Sequence, residues 1–492
     1  RSRYMFVKLS ATAMILPPFL IVITLLFPSK GKIKRNDRMK ILDIKMPKYA
    51  AQALKMLENA GFEAWCVGGC VRDSIRGAQV HDWDICTSAL PEQTLAVFDG
   101  LRTIPTGLKH GTVTVIIDGE QVEITTYRTD GDYLDHRRPE SVQFVRDIRS
   151  DLERRDFTIN AMCLSLRGEL FDPFGGEEDI QRGVLRCVGD PKKRFDEDAL
   201  RILRAVRFAA KTGFEVEENT ARAAMEMRGL LDGVSAERIS AELRSLLVQP
   251  HAGEVLRRFR EIIAQVIPEV RPCFDFPQNN PHHCYDVWEH ITHSVDNIRP
   301  DPLLRLVMLL HDIGKPDMFF TDESGMAHFK KHQFKSAEYA DEILRRMKSD
   351  NYTRERACAL IAEHDTRFPP KRKCVAKFIS KYDMQFFMNY LEIRRADTLA
   401  QSNYKRAEKL AALDEMAKIA IQLEEENACL KLSDLAINGR DAAALGLKGK
   451  AIGDALKQTL AAVVEERVPN ERGALLGFIR ENCAAESGCA DE

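Results

Sequence analysis

At 492 residues, with 45% hydrophobic and 30% charged side chains, the chain has material for roughly three or four domains with sizeable cores. Its 72 Lys plus Arg against 74 Asp plus Glu leave a net charge of -2, which excludes a globally basic nucleic-acid coat, so an RNA partner must be gripped by a local basic face. The 12 cysteines form neither a CxxC pair nor a small secreted framework; reduced thiols and a cytoplasmic setting are expected.

Leu9 to Phe27 is apolar and follows basic residues, as a signal or anchor would. Against that, the chain opens on Arg1, Pro17-Pro18 interrupts the run, and Met39 stands just before an ordinary domain start. Residues 1–38 are expected to be a non-native or disordered apolar extension, with an anchor as the alternative, and no membrane partner is expected. Pro47 to Ala60 has helical spacing, and strand-like runs follow at Glu63–Val67, Asp82–Cys86, Thr112–Asp118 and Gln121–Arg128. These predict an α+β head over 39–180, a small mixed sheet with helices on one face. Downstream of Phe195 the pattern is almost wholly helical, as in Asp198–Thr212, Glu217–Leu230, Ala236–Leu247, Gly253–Ile263 and Arg354–Glu363. That predicts a helical neck over 181–265, a helical body over 266–410 and a helical tail over 411–492.

The most informative stretch is VGGCVRDSIRGAQVHDWD, Val67 to Asp84. Gly68 and Gly69 allow a tight turn in which backbone N–H groups, at the start of a helix carrying Arg72, face an anion such as a triphosphate. Asp82 and Asp84 are two apart, so on a strand both carboxylates share one face opposite Trp83, an oxygen pair suited to Mg²⁺. Glu123, alternating with Val122 and Ile124, is a candidate third carboxylate, with a solvent-facing strand Glu as the competing reading.

GGCVRD and DWDICTSA are followed in order by RRDFTINAM (Arg154–Met162), DPFGGEEDI (Asp172–Ile180), EDALRILRAVRF (Glu197–Phe208) and ERISAE (Glu237–Glu242). From about Met46 to Pro250 this series resembles the ordered motifs of class II CCA-adding tRNA nucleotidyltransferases, part of which bacterial poly(A) polymerases share. The resemblance implies a polymerase-β-like nucleotidyltransferase head using Mg²⁺ on Asp82 and Asp84. It implies nucleotide contacts from Gly68, Gly69, Arg72, Arg154, Asp156, Asn160 and Arg204, with Asp156 and Asn160 toward the ribose and Arg154 toward phosphate. Asp172, Gly175, Gly176 and Asp179 are expected to be structural, at the head–neck junction. Asp130–Pro139 (DGDYLDHRRP) resembles the family's flexible loop, which CC-adding specialists lack.

Asp198 and Arg201, three apart, are expected to share a helix face and to set an acceptor beside a donor. Such a pair matches the amino donor and ring-nitrogen acceptor that CTP and ATP have in common and rejects UTP and GTP; a surface ion pair is the competing reading. Glu237, Arg238 and Glu242 read as a brace for it. Further on, His290, His311-Asp312 in LLHDIGK and Asp397 in RRADTLAQ resemble the ligands of HD-domain phosphohydrolases, which implies a further divalent metal there. His332 and His364 are candidate additions. Lys371-Arg372-Lys373, Arg394, Arg395, Lys405 and Arg406, interleaved with Phe378, Phe386, Phe387 and Tyr390, form a candidate RNA face, with a solvated helical face as the alternative. The segment LSDLAINGRDAAALGLKGKAIGDAL resembles the family's tRNA-gripping C-terminus.

The expected activity is addition or repair of the 3′-terminal CCA of tRNA from CTP and ATP without a nucleic-acid template. The rivals are a poly(A) polymerase or A-adding enzyme, an HD phosphohydrolase with a nucleotide-sensing head, and a non-enzymatic RNA-binding scaffold.

Overall fold

The computed structural model describes residues 40–130 and 142–487. The apolar N-terminal stretch and the DGDYLDHRRP loop beyond Asp130 lie outside them. The head runs β1 (Lys40–Ile41), α1 (Lys48–Asn59), β2 (Ala64–Val67), α2 (Gly69–Ile75), β3 (Ile85–Thr87), α3 (Pro91–Val97), β4 (Thr103–Gly107), β5 (Thr112–Ile117), β6 (Glu120–Thr126), β7 (Arg128–Asp130), β8 (Val142–Phe144), α4 (Ile148–Glu153), β9 (Cys163–Leu164), β10 (Glu169–Phe171) and α5 (Gly176–Arg182). Eight strands make one mixed sheet in the order β1-β10-β9-β2-β3-β6-β5-β4, while β7 and β8 pair antiparallel on their own. α1 turns Ala50, Ala53, Leu54 and Leu57 inward, and these close a core with Val113, Val115, Val122 and Ile124 of β5 and β6.

The neck is α6 (Pro191–Glu197), α7 (Leu200–Thr212), α8 (Glu218–Glu226), α9 (Ala236–Leu247), α10 (Ala252–Arg258) and α11 (Arg260–Val266). A single helix predicted for Gly253–Ile263 is in fact two, interrupted at Phe259, whose backbone leaves helical geometry (φ -109°, ψ 32°) and whose ring is buried. The body holds α12 (Val287–Asp296), α13 (Pro302–Leu310), α14 (His332–Arg346), α15 (Asn351–Glu363), α16 (Arg372–Lys381), α17 (Met384–Leu399) and α18 (Arg406–Glu425). The tail holds α19 (Gly439–Ala444), α20 (Lys450–Val464) and α21 (Arg472–Ser487). One hydrophobic core runs from Phe157 through all of these helices to Ile479, and Ile180 of α5 packs against both it and the head core.

The run predicted as a strand from Asp82 becomes β3 only at Ile85; Asp82, Trp83 and Asp84 lead into it in extended backbone. The alternation survives, because Trp83 is buried, Asp82 is exposed, and the Asp84 carbonyl takes the Val67 N–H at 3.0 Å, prolonging the β2–β3 ladder. The aromatic side chains read as interleaved with the basic stretch are core: Phe378, Phe386, Phe387 and Tyr390 are all buried. They form no stacking face, because α16 and α17 direct them at each other, with Phe378 and Tyr390 ring centroids 4.7 Å apart. No helix among the described residues is long and apolar enough to cross a membrane, and the described cysteines are free thiols.

Candidate nucleotidyl-transfer site and candidate metal centre

Strand register gathers the head carboxylates. β3 pairs parallel with β6 so that Ile85 lies beside Ile124, which sets Asp84, at the start of β3, beside Glu123 in the middle of the sheet. Burial pushes the Asp84 carboxyl up to about 6, Glu123 and Asp82 add to the rise, and Arg155 opposes it. A half-buried carboxylate with two acid neighbours fits a divalent cation, which would relieve the repulsion on it. The set is open, with Asp82 and Glu123 exposed, and it does not draw its oxygens into a tight cage. Two or three carboxylates that leave room for substrate phosphate oxygens are what Mg²⁺ takes in phosphoryl-transfer sites.

Gly68 caps α2 at φ 79°, a conformation that favours glycine, and a Cβ there would stand 3.2 Å from Arg155 Nη1. Arg155 therefore faces the glycine turn together with Arg72, whose Nη2 would lie 3.7 Å from a Cβ on Gly69; the sequence reading named Arg72 and Arg154 but not Arg155. Arg155 bonds the fully buried Asp151 at 3.2 Å while its Nε is buried with no hydrogen-bond partner. Arg154 is bound to the same Asp151 at 2.9 Å. Asp151 is the anchor that turns the Arg pair inward, and nothing in its spacing from RRD marks it.

Arg72, Asn160, Asp156 and Arg204, scattered over more than a hundred residues, form one buried polar chain. Arg72 grips Asp73 through Nε at 2.8 Å and Nη2 at 2.7 Å and donates to Asn160 Oδ1 at 2.6 Å. Asn160 donates to Asp156 Oδ1 at 3.1 Å, and Arg204 holds Asp156 Oδ2 through two donors at 2.9 and 2.6 Å. Burial alone would raise Asp156, but Arg204 and Asn160 outweigh it and hold the carboxyl at about 2. The network ties α2 of the head to α7 of the neck, reinforced by Lys211 on Asp73 at 3.0 Å. Gly176 has the structural role expected of it, since a Cβ there would lie 2.3 Å from the Thr158 carbonyl oxygen.

Asp198 and Arg201 are placed differently from the expectation of one helical face. Asp198 ends α6 in extended backbone (φ -146°, ψ 102°) and pairs with Arg238 of α9 at 2.8 Å. Arg201, on the first turn of α7, is buried and bonds Glu197 at 2.7 Å and the Arg154 carbonyl at 2.7 Å. Arg238 thus braces Asp198 directly, whereas Glu242 pairs with Arg207 and Glu237 with Lys348. The motif is the crossing of α6, α7 and α9 at the head, and its two polar members have separate partners.

In the body, His290 on α12, His311 and Asp312 after α13, and Asp397 on α17 converge, all buried, with ligand atoms within 4.8 Å of one another. Asp312, His332 and His364 make a second such group, so Asp312 belongs to both. Its Oδ2 lies 3.1 Å from His290 Nε2 and 3.2 Å from His311 Nε2, its Oδ1 3.0 Å from His332 Nε2. Neither oxygen has a well-formed hydrogen bond despite these distances, as expected of groups aimed at shared points between them. Each imidazole Nδ1 meets a backbone carbonyl: His290 that of Ala400, His311 that of Met308, His332 that of Phe329 and His364 that of Ile361. Donation from Nδ1 leaves every Nε2 a lone pair directed inward, the arrangement that orients metal-bound histidines. With no cation in place, burial alone would raise Asp312 and Asp397, but protonated His311 and Lys315 beside Asp312, and protonated His290 beside Asp397, outweigh it and hold both well below the ordinary carboxylate range. Lys315 completes the setting at 2.7 Å from Asp312 Oδ2 and 2.8 Å from Gln278. Lys315 and Gln278 are additions to the sequence reading, which had only the HDIGK context to point to the lysine.

The comparisons define the class first. The profile of the poly A polymerase head domain matches residues 64–186, that of the probable RNA and SrmB-binding site of polymerase A matches 213–273, and that of the putative tRNA nucleotidyltransferase domain 2 matches 322–479. The CCA-adding enzyme of Lactobacillus helveticus is 46% identical over 221 residues, 45% of this chain and 55% of that one; its counterpart in Geobacillus thermodenitrificans is 49% identical over 203 residues, 41% and 50%. The chain thus spans about half the length of the curated relatives it matches. A solved structure of the Bacillus stearothermophilus CCA-adding enzyme in complex with CTP superposes with a TM-score of 0.72 at 28% identity, covering 91% of this chain and 100% of that one. Over these stretches the chain is similar to CCA-adding enzymes and carries, in order, a poly A polymerase head, the RNA-binding site of polymerase A and a tRNA nucleotidyltransferase domain.

Proposed function

We propose that the chain adds or repairs the 3′-terminal CCA of tRNA from CTP and ATP. The observation that carries this reading is the grouping of Asp84 with Glu123 and Asp82 beside the Gly68 turn, since a carboxylate raised by burial and by acid neighbours, next to an anion-facing turn, is built to be neutralised by Mg²⁺ and a triphosphate together. Asp82 and Asp84 would hold the ion, which when bound lowers the barrier to attack by a 3′-hydroxyl and neutralises the departing pyrophosphate. Arg155 and the turn amides face the triphosphate. The Arg72–Asn160–Asp156–Arg204 chain fixes the sugar side, and Asp198, held by Arg238, offers the acceptor that reads the amino group of C or A. The relatives named above are CCA-adding enzymes, and one is solved with CTP. The deciding assay supplies tRNA transcripts lacking CCA, CA or A with each nucleotide singly and then CTP with ATP. Two C and one A, added in order, are expected. A run of A without use of CTP would make the chain a poly(A) polymerase, and no incorporation at all would leave the helical body as the working part.

The body supports a second, separate activity. Two ligand groups sharing Asp312 form a cage for two divalent cations, the donor set of imidazole and carboxylate suiting transition metals or Mg²⁺. A paired-ion site of this kind supplies phosphoester hydrolysis when loaded. Metal retained by the purified chain, and lost from Asp312→Ala, is the expected result.

A further inference from the structure

Beside that centre, between α17 and α18, a cleft of about 390 Å³ is lined by His282, Arg367, Arg394, Lys405 and Lys409, with Glu408 as its one lining carboxylate. In a chain whose net charge is -2, this is a concentrated positive site. Its volume falls in the range of roughly 300–1,000 Å³ that small ligands occupy.

The cations are incompletely matched. Lys409, half-buried, has no carboxylate within ion-pair distance; its Nζ reaches Gln401 Oε1 at 2.6 Å and His282 Nδ1 at 3.2 Å. Arg394 gives Nη1 to the His364 carbonyl at 2.9 Å and lies 3.5 Å from Asp365, the carboxylate it shares with Arg367, while its Nε is buried without a partner among the described residues. Lys405 is exposed and lies against the ring of Tyr404. Arg367 has one carboxylate, Asp365, at 2.9 Å.

The cleft is also wired to the metal cage. Gln401 donates to both Asp397 oxygens at 3.0 Å and accepts from Lys409, so the cleft wall and the ligand Asp397 are two hydrogen bonds apart. Arg394 and Thr398, which line the cleft, flank Asp397 on the same helix. On the other side, Arg394 holds the carbonyl of His364, a member of the second ligand group.

We propose that this cleft receives the phosphate of a small phosphate ester of mononucleotide size and delivers it to the HD centre, with Lys409, Arg394 and Arg367 gripping the anion. The proposal rests on the reading of that centre as a metal site. Charge-assisted contacts to phosphate are the strong class of hydrogen bond, and a cleft of this size takes one nucleotide more readily than a length of RNA duplex.

The test is calorimetric titration of the full, Mn²⁺-loaded chain with inorganic phosphate and, separately, adenosine 5′-monophosphate, on wild type, Lys409→Gln and Arg367→Gln, with bound Mn²⁺ measured in each. Lys409→Gln should weaken both ligands at least about tenfold and Arg367→Gln about threefold, with Mn²⁺ content unchanged. Tighter binding of the nucleotide than of phosphate marks an ester site; equal affinities mark a bare phosphate site in the same cleft. Unchanged isotherms in both variants with Mn²⁺ retained would overturn the cleft while leaving the metal centre standing. Weakened tRNA binding in these variants with unchanged phosphate and nucleotide affinities would assign the cleft to the RNA backbone instead. Absence of Mn²⁺ from the wild-type body would remove the metal reading and this proposal with it.

Discussion

The two acidic sites of this chain are opposites. In the head, Asp82 and Glu123 are exposed and Asp84 is half-buried, its carboxyl raised by burial and by its two acid neighbours. In the body, His290, His311, Asp312, Asp397, His332 and His364 are buried from the outset, each imidazole pinned through Nδ1. An open acidic cluster waits for a cation that arrives with phosphate oxygens, whereas a closed cage of imidazole and carboxylate holds its metal unaided. On the function proposed above, one fold carries a site completed by its substrate and a site completed by its own side chains.

The largest effect expected is at the open site. Asp82→Ala and Asp84→Ala should each reduce nucleotide incorporation more than about a thousandfold, several kcal/mol of transition-state stabilisation, while tRNA binding, expected of the helical parts, should be largely kept. Near-normal incorporation by both variants would sink the assignment. The closed site should be separable from it. His311→Ala is expected to abolish metal-dependent hydrolysis of a phosphate ester yet leave CCA addition within about twofold, because the two sets of residues stand on different elements, β3 and β6 against α12 to α17. Parallel loss of both activities in a folded variant would contradict their independence.

A smaller effect belongs to base choice. Asp198→Ala removes the acceptor and leaves Arg238 unmatched, and an unmatched polar group at a recognition surface costs about 1–3 kcal/mol. Use of CTP and ATP should fall and relative UTP or GTP misincorporation rise by roughly ten- to a hundredfold. Arg201→Ala should act in the same direction but also lower stability, since Arg201 bonds Glu197 and the Arg154 carbonyl. Incorporation of all four nucleotides decides, and unchanged selectivity would return Asp198 to an ordinary ion pair.

The sequence made the head legible because its signals are local. A glycine pair before a helix and an Asp-x-Asp run announce themselves within eighteen residues, and the alternation of Val122, Glu123 and Ile124 survived folding intact. What it could not display was partnership across the chain. Arg154 was preferred to Arg155 because only the fold shows which arginine stands over Gly68. Asp198 and Arg201 look like one helical face until α6 is seen to end at Glu197, and the basic–aromatic interleaving of 371–406 dissolves once the rings are found in the core. The cage was legible as a string of histidines, but its pairing through Asp312 depends on five helices meeting, α12, α13, α14, α15 and α17.

The smallest effect is on stability in acid. Asp156 is held at about 2 against an ordinary 3.8, so its pairing with Arg204 stabilises the fold above about pH 4 and is lost as the pH falls through about 2. The contribution is about 2 kcal/mol. Denaturant unfolding of wild type and Arg204→Met between pH 5 and pH 2 should show this part of the slope in wild type only.

The contrast between the two sites reduces to where metal resides before substrate arrives. Equilibrium dialysis against Mn²⁺, with and without CTP, on wild type, Asp84→Ala and Asp312→Ala measures this directly. The account predicts that wild type and Asp84→Ala hold body metal without nucleotide and that Asp312→Ala holds none. Further Mn²⁺ should bind with CTP in wild type and Asp312→Ala but not in Asp84→Ala. Metal that binds Asp312→Ala tightly without CTP, or body metal that appears only with CTP, would contradict it.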